Sequence, residues 1–173
     1  AELFATNARE MKMLVELVRI DDLADKLTEF LTKCQSKPIM LTDTPLIKSL
    51  GLTDFLRGKQ FDAQRWDDLT LDAAYDFDAG ITEVDYAVAE SGTLALRHRP
   101  EQPRVVSLVP FVHVAIVQPR NFVPDLLDLM EKLSEGGLGS SVTMISGPSK
   151  TADIELNVVT GVHGPNIVKA FVL

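Results

Sequence analysis

Val112-His113-Val114-Ala115-Ile116-Val117 is the stretch that decides the fold. Its residues are apolar apart from His113, and all of the apolar ones but Ala115 are β-branched, with no polar alternation. Such a run reads as an interior strand of a sheet covered on both faces. The period changes directly afterwards. Asn121 stands where a helix cap belongs. Phe122, Leu126, Leu129, Met130 and Leu133 then form one apolar stripe over about 122–135, and Gly136-Gly137 ends it. A buried strand followed by an amphipathic helix is the repeating unit of an α/β protein.

The same alternation extends outward in both directions. Residues 2–14 read as a weakly packed terminal helix, and Val15–Ile20 as a short strand. Asp21 or Asp22 caps a helix that places Leu23, Leu27, Phe30, Leu31 and Cys34 on one face. Ile39-Met40-Leu41 is a short buried strand, and Thr42-Asp43-Thr44-Pro45 turns into a helix that Gly51 stops. Residues 53–78 give a weaker signal: a short strand, a loop and a short helix. Ile81–Glu90 alternates like a strand, turns at Ser91-Gly92 and continues in Thr93–Leu96. Residues 97–104 read as a solvated loop, with His98 facing water. Val142–Ile145, Asn157–Thr160 and Ile167–Leu173 are further strands. The expectation is one α/β domain spanning 1–173, its sheet covered on both faces.

Composition narrows the function classes. Asp and Glu outnumber Lys and Arg by 25 to 17, a net charge of -8. That balance disfavours nucleic acid and anionic membrane surfaces as partners. Cys34 is the single cysteine, so neither an internal disulfide nor a thiolate metal site is expected, and a cytoplasmic location fits. No apolar run approaches the length of a membrane span. Glu2, Glu10 and Glu16 break any signal-peptide layout near residue 1.

Two polar turns carry the candidate chemistry. The first is Ser146-Gly147-Pro148-Ser149-Lys150-Thr151-Ala152-Asp153-Ile154-Glu155, and the second is Gly161-Val162-His163-Gly164-Pro165. In the first, glycine lets the backbone approach a ligand, and hydroxyls, N–H groups and Lys150 suit a carboxylate or phosphate. Equally, Ser149 or Thr151 simply caps a short helix. Asp153 and Glu155 diverge on a helix and share a face on a strand. His163 meets a ligand or accepts a structural hydrogen bond. Both turns are expected beyond the carboxyl ends of strands, where open α/β sheets bind ligands. Glu83 and Asp85 share a face if their segment is a strand. Glu90 is the candidate general base or nucleophile if burial raises its pKa, and otherwise a hairpin end in water. His113 points into the core or faces the pocket. Three dispersed histidines fit no compact metal motif, and Cys34 reads as core.

Three blocks resemble a known family: Ala79–Leu94 (AGITEVDYAVAESGTL), Ser107–Val114 (SLVPFVHV) and Ser146–Pro165. The chain is similar there to the lactate utilisation protein C family, the LUD domain, with the SGPSKTADIE and GVHGP segments the most specific. The resemblance implies the fold of glucosamine-6-phosphate deaminase, ribose-5-phosphate isomerase and CoA transferases, a three-layer α/β/α sandwich with a mainly parallel sheet. It implies a bacterial cytoplasmic protein of L-lactate oxidation to pyruvate, with iron–sulfur clusters on partner subunits, and it names no cofactor. The family's shared polar positions fall on Thr82, Glu83, Asp85, Glu90, Gly92, Thr93, His113, Ser146, Gly147, Ser149, Thr151, Asp153, Glu155, His163 and Gly164. Lys150 stands where arginine is more usual, keeping the charge but losing the two-pronged grip. Glu90, Asp153 and His163 are thus the candidate catalytic groups. Glu83, Thr93, His113, Ser146, Gly147, Ser149, Lys150, Thr151, Glu155 and Gly164 are the candidate ligand-binding groups, for a small anionic metabolite or a phosphate-bearing cofactor. Two alternatives remain: a transferase or isomerase acting on an acyl-CoA or sugar phosphate with Glu90 as nucleophile or base, and a scaffold subunit for iron–sulfur partners.

Overall fold

The computed structural model describes residues 1–137, 139–152, 158–160 and 164–173. In chain order its elements are α1 (Glu2–Glu10), β1 (Leu14–Leu17), α2 (Leu23–Lys33), β2 (Pro38–Leu41), α3 (Pro45–Ser49), α4 (Leu52–Gly58), β3 (Asp62–Arg65), β4 (Ala79–Glu83), β5 (Tyr86–Val88), β6 (Thr93–His98), α5 (Val105–Leu108), β7 (Val112–Val117), β8 (Phe122–Val123), α6 (Leu126–Gly136), β9 (Ser141–Ile145), β10 (Lys150–Ala152), β11 (Val158–Thr160) and β12 (Ile167–Val172). Six strands form a parallel sheet in the order β1-β12-β7-β4-β2-β3. All six residues of β7 are buried, as a strand covered on both faces requires.

One face is covered by helices. Leu23, Leu27 and Leu31 recur every fourth residue along α2, so they share a side. With Ile47, Leu52 and Leu56 they pack on Ile39, Ile81, Val114 and Ile116. Thr44 starts α3 by accepting from the Ile47 N–H, with Pro45 in the first turn. The other face meets α1, α5 and a second sheet of order β8-β5-β6-β9, which α6 covers in turn through Leu129 and Leu133. The α/β class, the parallel sheet and helices on both faces are as expected; the second sheet is additional.

Its origin corrects one expectation. Ile81–Glu90 is not one strand. β4 ends at Glu83, and the chain leaves the large sheet at Val84-Asp85 to enter β5 of the small one. The cap of α6 also differs. Asp125 accepts from the Leu127 and Asp128 N–H groups, while Asn121 donates its amide to the Val84 carbonyl at 2.6 Å. Residues 97–104 are not a solvated loop either. His98 is 3% exposed, with Nδ1 on the Gln102 carbonyl and Nε2 on Thr143 Oγ1.

Nor is the terminal helix loosely attached. Phe4, Ala5 and Ala8 of α1 are buried, and Asn7 Nδ2 donates to the Ala89 and Glu90 carbonyls. Gly92 adopts φ +63°, and a Cβ there would run into the Ala8 backbone. Substituting Gly92→Ala therefore combines a left-handed backbone with overpacking. Thermal or urea unfolding is expected to show a loss of about 2 kcal/mol or more. Unchanged stability would contradict the close seat of α1.

Candidate functional site

The two polar turns do meet. The Ser149 N–H donates to the Pro165 carbonyl at 2.9 Å, and a Cβ on Gly164 would touch the Ser149 side chain at 3.2 Å. Beside them Ser91 donates to Thr93 Oγ1, which pairs with Ser146 Oγ, each at 2.8 Å. Gly147 adopts φ +101° and lies against the Met11 carbonyl at the end of α1; Lys150 Nζ reaches that carbonyl at 3.5 Å. Thr151 lies in β10, which pairs with β11. Asp153, Glu155 and His163 lie outside the described residues.

Their location differs from the expected one. The Phe111 carbonyl, just before β7, accepts from the Asn166 and Ile167 N–H groups at the start of β12. Gly164 and Pro165, the described part of the second turn, therefore sit at the amino end of the parallel sheet. The first turn leaves β9 of the small sheet and joins them there. The described residues of neither turn lie beyond a carboxyl end of the large sheet.

His113 takes the core alternative. It is fully buried as the second residue of β7, with Nε2 paired to Thr82 Oγ1 at 2.9 Å. Nδ1 has no hydrogen-bond partner among the described residues. Burial pushes its pKa from 6.5 down to about 3. Glu90 is exposed just past the end of β5, as the hairpin-end alternative has it.

The carboxyl ends hold a different constellation, built around Asp85. This carboxylate is 6% exposed. It accepts from the Arg97 backbone N–H at 2.8 Å, Arg97 Nε at 3.3 Å, Arg99 Nη1 at 2.9 Å and Gln102 Nε2 at 3.1 Å. Gln102, itself fully buried, accepts the Glu83 N–H through Oε1. Arg97 Nη1 continues to the Gly136 and Gly137 carbonyls. Next to this network lies a cavity of about 720 Å³. Glu83, Asp85, Arg97, Arg99, Gln118 and Arg120 line it together with Tyr86, Asn121 and α3. Glu83 was among the expected ligand groups; it stands here, apart from the polar turns.

A second cluster flanks α3. Asp43 is 4% exposed and bonds Lys48, with Arg65 Nη1 at 3.9 Å, beside a cavity of about 340 Å³. Burial raises the Asp43 pKa, but Lys48, the neighbouring Asp67 and Arg65 together hold it below the usual range, while Asp43 holds Asp67 above it. Among the described residues no three His, Cys, Asp or Glu side chains group as metal ligands, and no helix is long and apolar enough to cross a membrane.

Nothing in the sequence singled out Arg97, Arg99, Gln102 or Arg120. The one available signal was an Arg-x-Arg pair downstream of an acid at a strand end, which reads equally as a solvated loop.

Two predictions follow from these environments. Removing the Asp85 charge leaves two partly buried guanidinium groups without their shared carboxylate. Asp85→Asn is expected to cost about 3 kcal/mol in urea unfolding; a loss within ~0.5 kcal/mol would contradict the anchoring role. For His113, the folded protein stays neutral above about pH 3, while the unfolded chain takes up a proton below about 6.5. This group thus removes about 1.4 kcal/mol of stability per pH unit as pH falls through that window. The urea midpoint of the native protein should fall more steeply between about pH 6.5 and 5 than that of His113→Gln. Parallel profiles would contradict it.

Comparison with known proteins gives consistent matches. The LUD domain profile matches residues 1–173. A protein named Lactate utilization protein C from Halalkalibacterium halodurans is 34% identical over 160 residues, covering 87% of this chain and 69% of its own. One of the same name from Anoxybacillus flavithermus is 33% identical, covering 83% and 66%, and one from Bacillus subtilis is 30% identical, covering 94% and 74%. The chain thus spans about two thirds to three quarters of the length of these relatives. The crystal structure of a DUF162 family protein from Deinococcus radiodurans superposes with a TM-score of 0.73 at 21% identity, over 99% of this chain and 94% of that one. That likeness shows a shared fold.

Proposed function

The chain belongs to the LUD domain family, and from that membership we propose that it is a cytoplasmic component of a bacterial L-lactate utilisation system. In it, L-lactate is oxidised to pyruvate together with iron–sulfur partner proteins. The observation that carries this is the match, across most of the chain, to relatives named for lactate utilisation. A ligand site at the joined polar turns is supported by the contact of Ser149 with Gly164 and Pro165, the two blocks most specific to the family. Lys150 supplies positive charge there, in a protein whose overall charge of -8 repels anions. That suits a small anionic metabolite or a phosphate-bearing cofactor. Asp153, Glu155 and His163 belong to the same two blocks and are the proposed acting groups.

A specific observation also favours a scaffolding role. Leu3, Met11, Leu14, Leu17 and Ile20 expose between 43% and 58% of their surface on α1 and its C-terminal cap, the edge strand β1 and the turn after it. An unpaired edge with exposed apolar side chains suits a partner protein. The transferase or isomerase reading gains nothing from the exposed Glu90.

Disrupting the gene for this chain in its host is expected to abolish growth on L-lactate and leave growth on pyruvate intact. A complementing copy carrying His163→Ala should not restore it. Normal growth of the disruptant on L-lactate would refute the assignment.

A further inference from the structure

The cavity at the carboxyl ends of β2, β4 and β7 has the chemistry of an anion site distinct from the polar turns. It lies where the rule for parallel α/β sheets puts ligands: α3 follows β2, Glu83 ends β4 and Gln118 follows β7. Arg97, Arg99 and Arg120 face Glu83 and Asp85, a surplus of one positive charge. Asp85 is not a free carboxylate for a cation. Its two oxygens are taken by Arg97, Arg99 and Gln102, so it acts as a clamp that fixes guanidinium groups in place.

The arginines divide by what is left to them. Arg97 is engaged at both ends, on Asp85 and on the Gly136 and Gly137 carbonyls. Arg99 spends only Nη1, on Asp85 Oδ1 and the Arg97 carbonyl. Its Nε and Nη2 donate to no described residue, and Arg120 forms no ion pair among the described residues. Two guanidinium groups, one of them pre-oriented, thus border the same space.

We propose that this cavity binds a small organic carboxylate, gripped by Arg99 and Arg120. A planar guanidinium matches a carboxylate with two parallel hydrogen bonds. The single surplus charge suits a monoanion, and Glu83 at the same cavity disfavours a phosphate with its higher charge. Gln118 and Asn121 bring amides to the space. One N–H of the Asn121 amide is given to the Val84 carbonyl, which fixes the amide, and its oxygen can accept from a hydroxyl beside the carboxylate. The site stands on this geometry alone and needs neither the lactate role nor the polar-turn pocket.

Titration calorimetry on the full chain, with pyruvate, L-lactate and inorganic phosphate as separate probes, tests it. At least one of the two carboxylates is expected to bind. Arg120→Ala should weaken that binding about tenfold or more. Arg99→Lys should weaken it too, because the charge stays while the fork is lost. Glu83→Gln should tighten it. Arg120 is exposed, so its variant is expected to keep the native melting temperature even if Arg99→Lys folds poorly. Failure of both carboxylates to bind, binding indifferent to Arg120→Ala, or preferential binding of phosphate would each overturn the proposal. These readouts need no partner protein, so they are independent of the growth phenotype on L-lactate.

Discussion

Asp85 is the point on which the two sheets of this protein turn. The chain leaves the parallel sheet at Glu83 and joins the small antiparallel hairpin at Tyr86, and the one acidic side chain between them is buried. A buried carboxylate is tolerated only when its lone pairs are filled. Here they are filled by the backbone and guanidinium of Arg97, by Arg99 and by Gln102. Gln102 ties the clamp back to the end of β4 through the Glu83 N–H, and His98 holds the Gln102 carbonyl. The hairpin is thereby registered against the large sheet, and the arginines are set at the carboxyl ends of the central strands.

The molecule consequently presents polar chemistry at both ends of its parallel sheet. At the amino end the two family-specific turns close on each other through Ser149 and Pro165, under the last turn of α1. At the carboxyl end, cavities lie on either side of α3, one beside the Asp43 cluster and one beside the Asp85 clamp. His113 belongs to neither. It is a core side chain whose burial makes it an acid-sensitive element of stability.

Much of the architecture was legible because it rests on local patterns. The uninterrupted apolar run of β7, the fourfold spacing of Leu23, Leu27 and Leu31, and Pro45 after Thr44 each announce their element without help from the rest of the chain. What was not legible depends on pairing over distance. The break at Val84-Asp85 leaves the alternation of Ile81–Glu90 intact, so period alone cannot show that the strand changes sheets. Arg97, Arg99 and Gln102 look like a solvated loop until Asp85, more than ten residues earlier, is brought beneath them. α1 appears weak by composition, yet Gly92 leaves no room between it and the hairpin. The polar turns were recognisable by residue type, but the sheet end they occupy follows from the register of β12 with β7, which the sequence does not carry.

The most direct measurement of this account is an NMR titration of the arginine side chains. With isotopically labelled protein and added L-lactate or pyruvate, the Nε–H signals of Arg99 and Arg120 are expected to shift in a saturable way. No saturable shift at either arginine would contradict a carboxylate site held by the Asp85 clamp.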